Sequence, residues 1–112
     1  MFIDNIVNDM RTKIAALSHE NYQLRKLLDK ERENKKCLPG VHIPEKIEMT
    51  ADTEYAVNGA DVIVLAVASP YTRSTAKLFA PFVKEGQYVV NVGKGIEEST
   101  LMTLCQVVEE EI

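Results

Sequence analysis

Lys94 stands between Gly93 and Gly95, directly after the apolar run Tyr88-Val89-Val90-Asn91-Val92. Flanking glycines let backbone amides approach a ligand closely, and an ammonium group there is a compact charge for phosphate. A lone Gly-Lys-Gly turn is also compatible with a solvated lysine, and spacing does not separate the two. A second run, Val62-Ile63-Val64-Leu65-Ala66-Val67, ends in Ala68-Ser69-Pro70. Ser69 followed by Pro70 has the composition of a helix start: the hydroxyl caps and the proline pre-sets the first turn. A helix N-terminus at a strand's end attracts anions through free N–H groups and its dipole. Arg73, one turn in, either assists an anion or is simply solvated. Glu97, Glu98 and Glu109 to Glu111 read as solvated helix faces, with no pair in an acid–base arrangement.

Both apolar runs are rich in β-branched residues and lack alternation. That pattern suits strands covered on both faces of a parallel α/β sheet, where ligands bind beyond the carboxyl ends. The flanking sequence alternates strand and helix, as in βαβ units. Ile47–Thr50 reads as a short strand. Asp52 caps a short helix over Glu54–Asn58, and Gly59 ends it in the left-handed region. The helix starting at Ser69 is expected to bury Leu78, Phe79 and Phe82. Lys84–Gln87 is a turn, and a last helix is expected to bury Leu101, Leu104, Cys105, Val108 and Ile112.

The N-terminal third has a different period. Ile3, Val7, Met10, Ile14, Leu17, Leu24 and Leu28 step by 4 and 3, with Asn21 filling the one gap. This is a heptad seam, and a single Asn at an a position is a device for fixing register and pairing. One nearly continuous helix from Asp4 to Lys35 follows, because no proline or glycine precedes Pro39 and Asp4 can cap its start. The competing view makes Lys13–Ser18 a strand, but Ala15 and Ala16 favour helix. The expected organisation is a long amphipathic helix over residues 1–36 and an α/β region over residues 37–112. If the seam pairs as a coiled coil, the chain is a homodimer. A non-catalytic self-association module carrying an α/β remnant is then the alternative function.

At 112 residues the chain fits one small domain. Net charge is −4 and the 13 Lys and Arg residues are scattered, which argues against a nucleic-acid surface. No run approaches the roughly 18 apolar residues of a membrane span, and Met1-Phe2-Ile3-Asp4 does not open a signal peptide. A cytoplasmic location is expected. Cys37 and Cys105 show no paired spacing and read as reduced thiols. His19 and His42 have no partner at metal-ligand spacing, so no metal site is expected, and no catalytic residue is assigned.

Three motifs together resemble NAD(P)-dependent glycerol-3-phosphate dehydrogenase. They are Arg32-Glu33-Asn34-Lys35-Lys36-Cys37-Leu38-Pro39-Gly40-Val41, Leu65-Ala66-Val67-Ala68-Ser69 with Arg73, and Lys94-Gly95-Ile96-Glu97. Their order and spacing match the second half of that family's N-terminal nucleotide-binding domain, over about Glu20 to Ile112. The resemblance implies an incomplete Rossmann-like parallel sheet of about three strands with flanking helices. It implies NAD or NADP as cofactor, held in part by Val67, Ala68 and Ser69. It gives Lys94 a contact to cofactor and phosphorylated substrate, dihydroxyacetone phosphate or sn-glycerol 3-phosphate. The implied reaction is hydride transfer between NAD(P)H and dihydroxyacetone phosphate in glycerophospholipid synthesis. Ala68 replaces the family's usual proline, and Cys37 its usual aromatic. The family's opening G-x-G-x-x-G turn has no counterpart, since the first glycine is Gly40. The helical domain with the family's catalytic lysine also has none. The chain is therefore expected to be a fragment lacking strands 1 and 2, inactive by itself, with an uncovered edge on strand 4.

Overall fold

The computed structural model describes residues 13–15, 20–36 and 38–112, with side chains from residue 26 onward. Two compact units divide the chain, Met1–Asp52 and Thr53–Ile112. The expected division at residue 36 falls inside the first of them.

In the first unit, strand β1 (Lys13–Ala15) precedes helix α1 (Glu20–Glu31), and strands β2 (Glu33–Asn34), β3 (Leu38–His42) and β4 (Glu48–Thr50) follow. Strand β1 pairs with β4 in parallel, with Ile14 opposite Met49. This overturns the continuous helix from Asp4 to Lys35, and with it the heptad seam as a single coiled coil. The helix preference of Ala15 and Ala16 amounts to tenths of a kcal/mol per residue, and a non-local parallel partner outweighs it. The seam positions at Ile3, Val7, Met10 and Leu17 lie outside the described residues. The strand-2 position counted as missing is thus occupied, next to the Ile47–Thr50 strand.

Helix α1 stops where Arg32 turns to a φ of 53°. The Arg32 guanidinium then donates through Nη1 to the carbonyl of Ile47 at 2.6 Å, and its backbone carbonyl accepts from Ile43 at 2.6 Å. Asp29 and Glu45 flank it at 3.3 and 3.4 Å. The Arg-Glu-Asn segment therefore ties the antiparallel β2–β3 pair to the entry of β4.

The second unit holds the candidate site. Helix α2 (Thr53–Val57), strand β5 (Val62–Leu65), helix α3 (Thr72–Phe79), strand β6 (Tyr88–Asn91) and helix α4 (Leu104–Glu111) follow in order. Gly59 takes a φ of +78° just beyond α2, as expected. Strands β5 and β6 are parallel, with Val62 to Leu65 opposite Tyr88 to Asn91. A helix must cross over between two such strands, and α3 does so. Its buried face is Thr72, Thr75, Ala76 and Phe79, spaced i, i+3, i+4, i+7. Leu78, expected in that stripe, is half exposed because it points off this face.

The core joins Val57, Leu65, Ala76, Phe79 and Val108, with Ile63 and Val89 packed against it. The other face of the pair, Val62, Val64, Tyr88 and Val90, is exposed. Coverage on both faces is therefore not found among the described residues, and the strands obey a period of two despite their unbroken apolar sequence. Gln87 fixes the entry to β6 by donating to the carbonyls of Val57 (2.9 Å) and Ala60 (2.7 Å) while accepting from the Lys84 amide. Overall, six strands form three two-stranded sheets among the described residues, against about three strands expected. The three expected ones are all present.

Candidate functional site

The carboxyl ends of β5 and β6 lie side by side. The ladder continues past both strands, since the Val92 amide donates to the Leu65 carbonyl at 3.0 Å. Asn91 then folds its side chain onto the turn: Oδ1 accepts from the Gly93 amide at 3.2 Å and Nδ2 donates to the Gly93 carbonyl at 3.3 Å. A Cβ at Gly93 would lie 3.1 Å from the Val67 carbonyl oxygen and 3.2 Å from Leu104 Cδ1. Glycine is favoured here by closeness of approach, since any Cβ would press on these neighbours. Gly95 takes a φ of +131°, and a Cβ there would lie 3.4 Å from Ser69 Cβ and Oγ. The two segments singled out from sequence, Val67 to Ser69 and Gly93 to Gly95, therefore meet residue by residue.

Lys94 lies between the two glycines of this junction and is exposed. Among the described residues no carboxylate pairs with it. Ser69 is placed beside Gly95, and it is not a helix cap. Ala68 holds the N-cap position in extended conformation without a side-chain hydrogen bond, and Ser69–Tyr71 is a single 3-10 turn leading into α3. Pro70 in the first positions of that turn fits a fixed φ and a missing N–H.

Arg73 is neither solvated nor turned to an open anion site. Its Nε and Nη2 grip both oxygens of Glu97, at 2.7 and 2.8 Å. Its Nη1 donates to Glu110 at 2.6 Å and also to Glu111. Glu97 is further held by the Thr100 hydroxyl. Fork-shaped pairing of this kind is the strong form of a charged hydrogen bond. Arg73 and Thr100 draw the Glu97 carboxyl down from the ordinary 4.5 to about 2, and the three glutamates raise the Arg73 pKa. Glu97, Glu110 and Glu111 thus belong to one ion-pair cluster, which corrects their reading as solvated faces.

Around Glu97 the backbone forms a tight return. Ile96 and Thr103 make an antiparallel bridge, the Glu97 amide donates to Met102, and Leu101 takes a φ of 59° while donating to Glu97. Leu101 is exposed and outside the helix. Helix α4 begins instead at a capping box, in which Thr103 Oγ1 accepts from the Gln106 amide and Gln106 Oε1 accepts from the Thr103 amide. The Thr-x-x-Gln spacing was visible in the sequence. Its buried residues are Leu104, Val107 and Val108, while Cys105 and Ile112 are exposed. An open groove of about 410 Å³ runs between β6 and α4, lined by Val89, Asn91, Cys105, Val108, Glu109 and Ile112. Lys94 and Ser69 are not part of its lining. Among the described residues no cluster of His, Cys, Asp or Glu could hold a metal.

Comparison with known proteins gives this geometry a context. The family described as the N-terminus of NAD-dependent glycerol-3-phosphate dehydrogenase matches residues 2–112. The match begins well before Glu20, where the resemblance was expected to start. A glycerol-3-phosphate dehydrogenase [NAD(P)+] of Agathobacter rectalis is 54% identical over 86 residues, covering 77% of this chain and 26% of that protein. One from Fusobacterium nucleatum is 43% identical over 81 residues, covering 72% of this chain and 24% of its own length. The chain thus spans about a quarter of the curated relatives it matches. The crystal structure of a Coxiella burnetii glycerol-3-phosphate dehydrogenase superposes on 88% of this chain and 29% of its own, with a TM-score of 0.76 and 18% identity. That likeness is one of fold, and it establishes a Rossmann-like α/β arrangement.

Proposed function

Since this chain belongs to the family of NAD-dependent glycerol-3-phosphate dehydrogenase N-termini, we propose that it supplies part of a dinucleotide groove in an enzyme interconverting dihydroxyacetone phosphate and sn-glycerol 3-phosphate. The cofactor of the family, NAD or NADP, would carry the hydride, given by its reduced form to dihydroxyacetone phosphate and taken back by its oxidised form from sn-glycerol 3-phosphate. Val67, Ala68 and Ser69 would line one side of the groove. Lys94 would meet phosphate on cofactor and substrate. The supporting observation is the junction of the two strand-end loops, which brings Gly95 against Ser69 and leaves the neighbouring Lys94 exposed. Such a surface fits an anionic dinucleotide: it offers backbone and one cation, with no carboxylate paired to that cation among the described residues.

The residues in hand bind and orient. Among the described residues no acid–base group converges on the junction, and the 112-residue chain by itself should not oxidise NADH with dihydroxyacetone phosphate. A cytoplasmic setting suits such an enzyme, and among the described residues no helix is long and apolar enough to cross a membrane. The self-association module loses its support, because the seam that would drive it is interrupted by β1.

The test is replacement by alanine of the residue aligned with Lys94 in a full-length relative. Loss of one charged contact costs about 1.5–3 kcal/mol, or roughly 10- to 150-fold. The Michaelis constant for dihydroxyacetone phosphate should rise within that range. Unchanged constants for both substrate and NADH would return Lys94 to a solvated turn.

A further inference from the structure

The anion-contact role of Lys94 requires that its turn hold still, and nothing bonds the Lys94 side chain itself among the described residues. The turn leaves β6 at Asn91 and returns at the Ile96–Thr103 bridge. One end is fixed by the Asn91 side chain on Gly93. The other is Glu97, three residues beyond Lys94, and its carboxylate is gripped at both oxygens by a guanidinium from a different element. Arg73 lies in the second position of α3, the helix that follows directly on the Ser69–Tyr71 turn. Its fork therefore joins the segment carrying Ser69 to the segment carrying Lys94, by a path separate from the backbone ladder.

We propose that Arg73 is a positioning residue for phosphate recognition: its bidentate grip on Glu97 sets the height and direction of the Lys94 turn over Ser69. The role for a phosphate-bearing ligand rests on Lys94 being the anion contact. Geometry assigns a distinct function to each half of the Arg73 cluster. The Glu97 half, at 2.7 and 2.8 Å, reaches the turn. The Glu110 and Glu111 half reaches α4, as does Lys77 at 3.9 Å from Glu111. Removing the first half frees the turn, and removing the second loosens only the helix. A lysine at position 73 keeps the charge but cannot hold two oxygens in one plane.

Three variants of the 112-residue chain separate these roles: Glu97→Gln, Glu110→Gln and Arg73→Lys. Backbone 15N relaxation is measured on the Gly93, Lys94, Gly95 and Ile96 amides, beside urea unfolding of each variant. In Glu97→Gln and Arg73→Lys the order parameters of these amides should fall from about 0.85 toward about 0.6 or lower. Glu110→Gln should leave them at the wild-type value, whatever its effect on unfolding. Equal loss of order in Glu97→Gln and Glu110→Gln, or none in Glu97→Gln and Arg73→Lys, would overturn the proposal and leave Arg73 as a general staple.

A kinetic arm keeps the two ideas apart. In a full-length relative, the substitution aligned with Arg73→Lys should raise the Michaelis constant for dihydroxyacetone phosphate several-fold and change kcat little. The substitution aligned with Lys94→Ala serves as reference. If it has no effect, the phosphate role of Lys94 fails, while the relaxation data still decide whether Arg73 holds the turn. If it raises the constant and Arg73→Lys does not, Lys94 keeps its role and the positioning proposal falls.

Discussion

Gly93→Ala is the sharpest probe of the junction, because the sign of its effect depends on whether the two loops touch. Gly93 does not occupy the left-handed region, unlike Gly59 and Gly95. In open space an alanine at such a residue stabilises by about 0.4–1 kcal/mol, through the reduced freedom of the unfolded chain. The folded structure opposes this. The new methyl would lie 3.1 Å from the Val67 carbonyl oxygen, 3.2 Å from Asn91 Oδ1 and 3.2 Å from Leu104 Cδ1, each two to three tenths of an ångström inside ordinary contact. None of these neighbours yields easily. Val67 O is backbone, Asn91 Oδ1 is bonded to the Gly93 amide, and Leu104 is 2% exposed. Overpacking of this kind costs about 1–3 kcal/mol. Net destabilisation of up to about 2.6 kcal/mol is expected, or up to roughly 11 °C in Tm for a domain of this size. Thermal and urea unfolding, followed on amide resonances of Thr53–Ile112, measure it. Gly59→Ala is the control: it has no neighbour within 4 Å and a φ of +78°, so its cost of about 1–2 kcal/mol is backbone strain alone. A Gly93→Ala variant more stable than wild type would refute contact between the loops.

Acid should act through Glu97. Its carboxyl is depressed to about 2, so its ionised form stabilises the fold above the ordinary 4.5, and that share is lost as pH falls through about 2. The stability difference between wild type and Glu97→Gln should therefore shrink between pH 4.5 and 2; a constant difference in urea midpoints would contradict the pairing. Thr103→Ala removes the capping box of α4 and should cost about 1 kcal/mol by urea unfolding, with an unchanged midpoint counting against the cap. Phe79→Ala empties a site that is 3% exposed at the centre of the core and should cost about 3–5 kcal/mol. Retention of well-dispersed methyl resonances and of the wild-type midpoint would show that the core is elsewhere.

Much of the junction was legible because its parts are local. Two β-branched runs, each closed by small residues, locate β5, β6 and the loops beyond them, and Gly59 and Pro70 punctuate as their backbone constraints demand. What escaped depends on partners distant in sequence. Ile14 reads as helical beside two alanines until Met49 is placed opposite it. Arg73 looks solvated until the return at Ile96–Thr103 brings Glu97 and α4 around it. Ser69 looks like a cap until the 3-10 turn moves the helix start forward. The Thr103 box was local and readable, yet the apolar spacing of Leu101 and Leu104 drew attention away from it.

The parallel pairing of β5 with β6 also dictates how this site comes into being. Val62 lies opposite Tyr88, 26 residues onward, so no hydrogen bond of the ladder can zip outward from a tight turn. Every one of them closes a loop that contains α3, and such closure pays its entropy before any contact rewards it. The loops at 67–69 and 93–95 therefore meet only when that long loop has closed. The ligand surface and the β5–β6 ladder thus share one entropic cost of closure, set by the crossover between them.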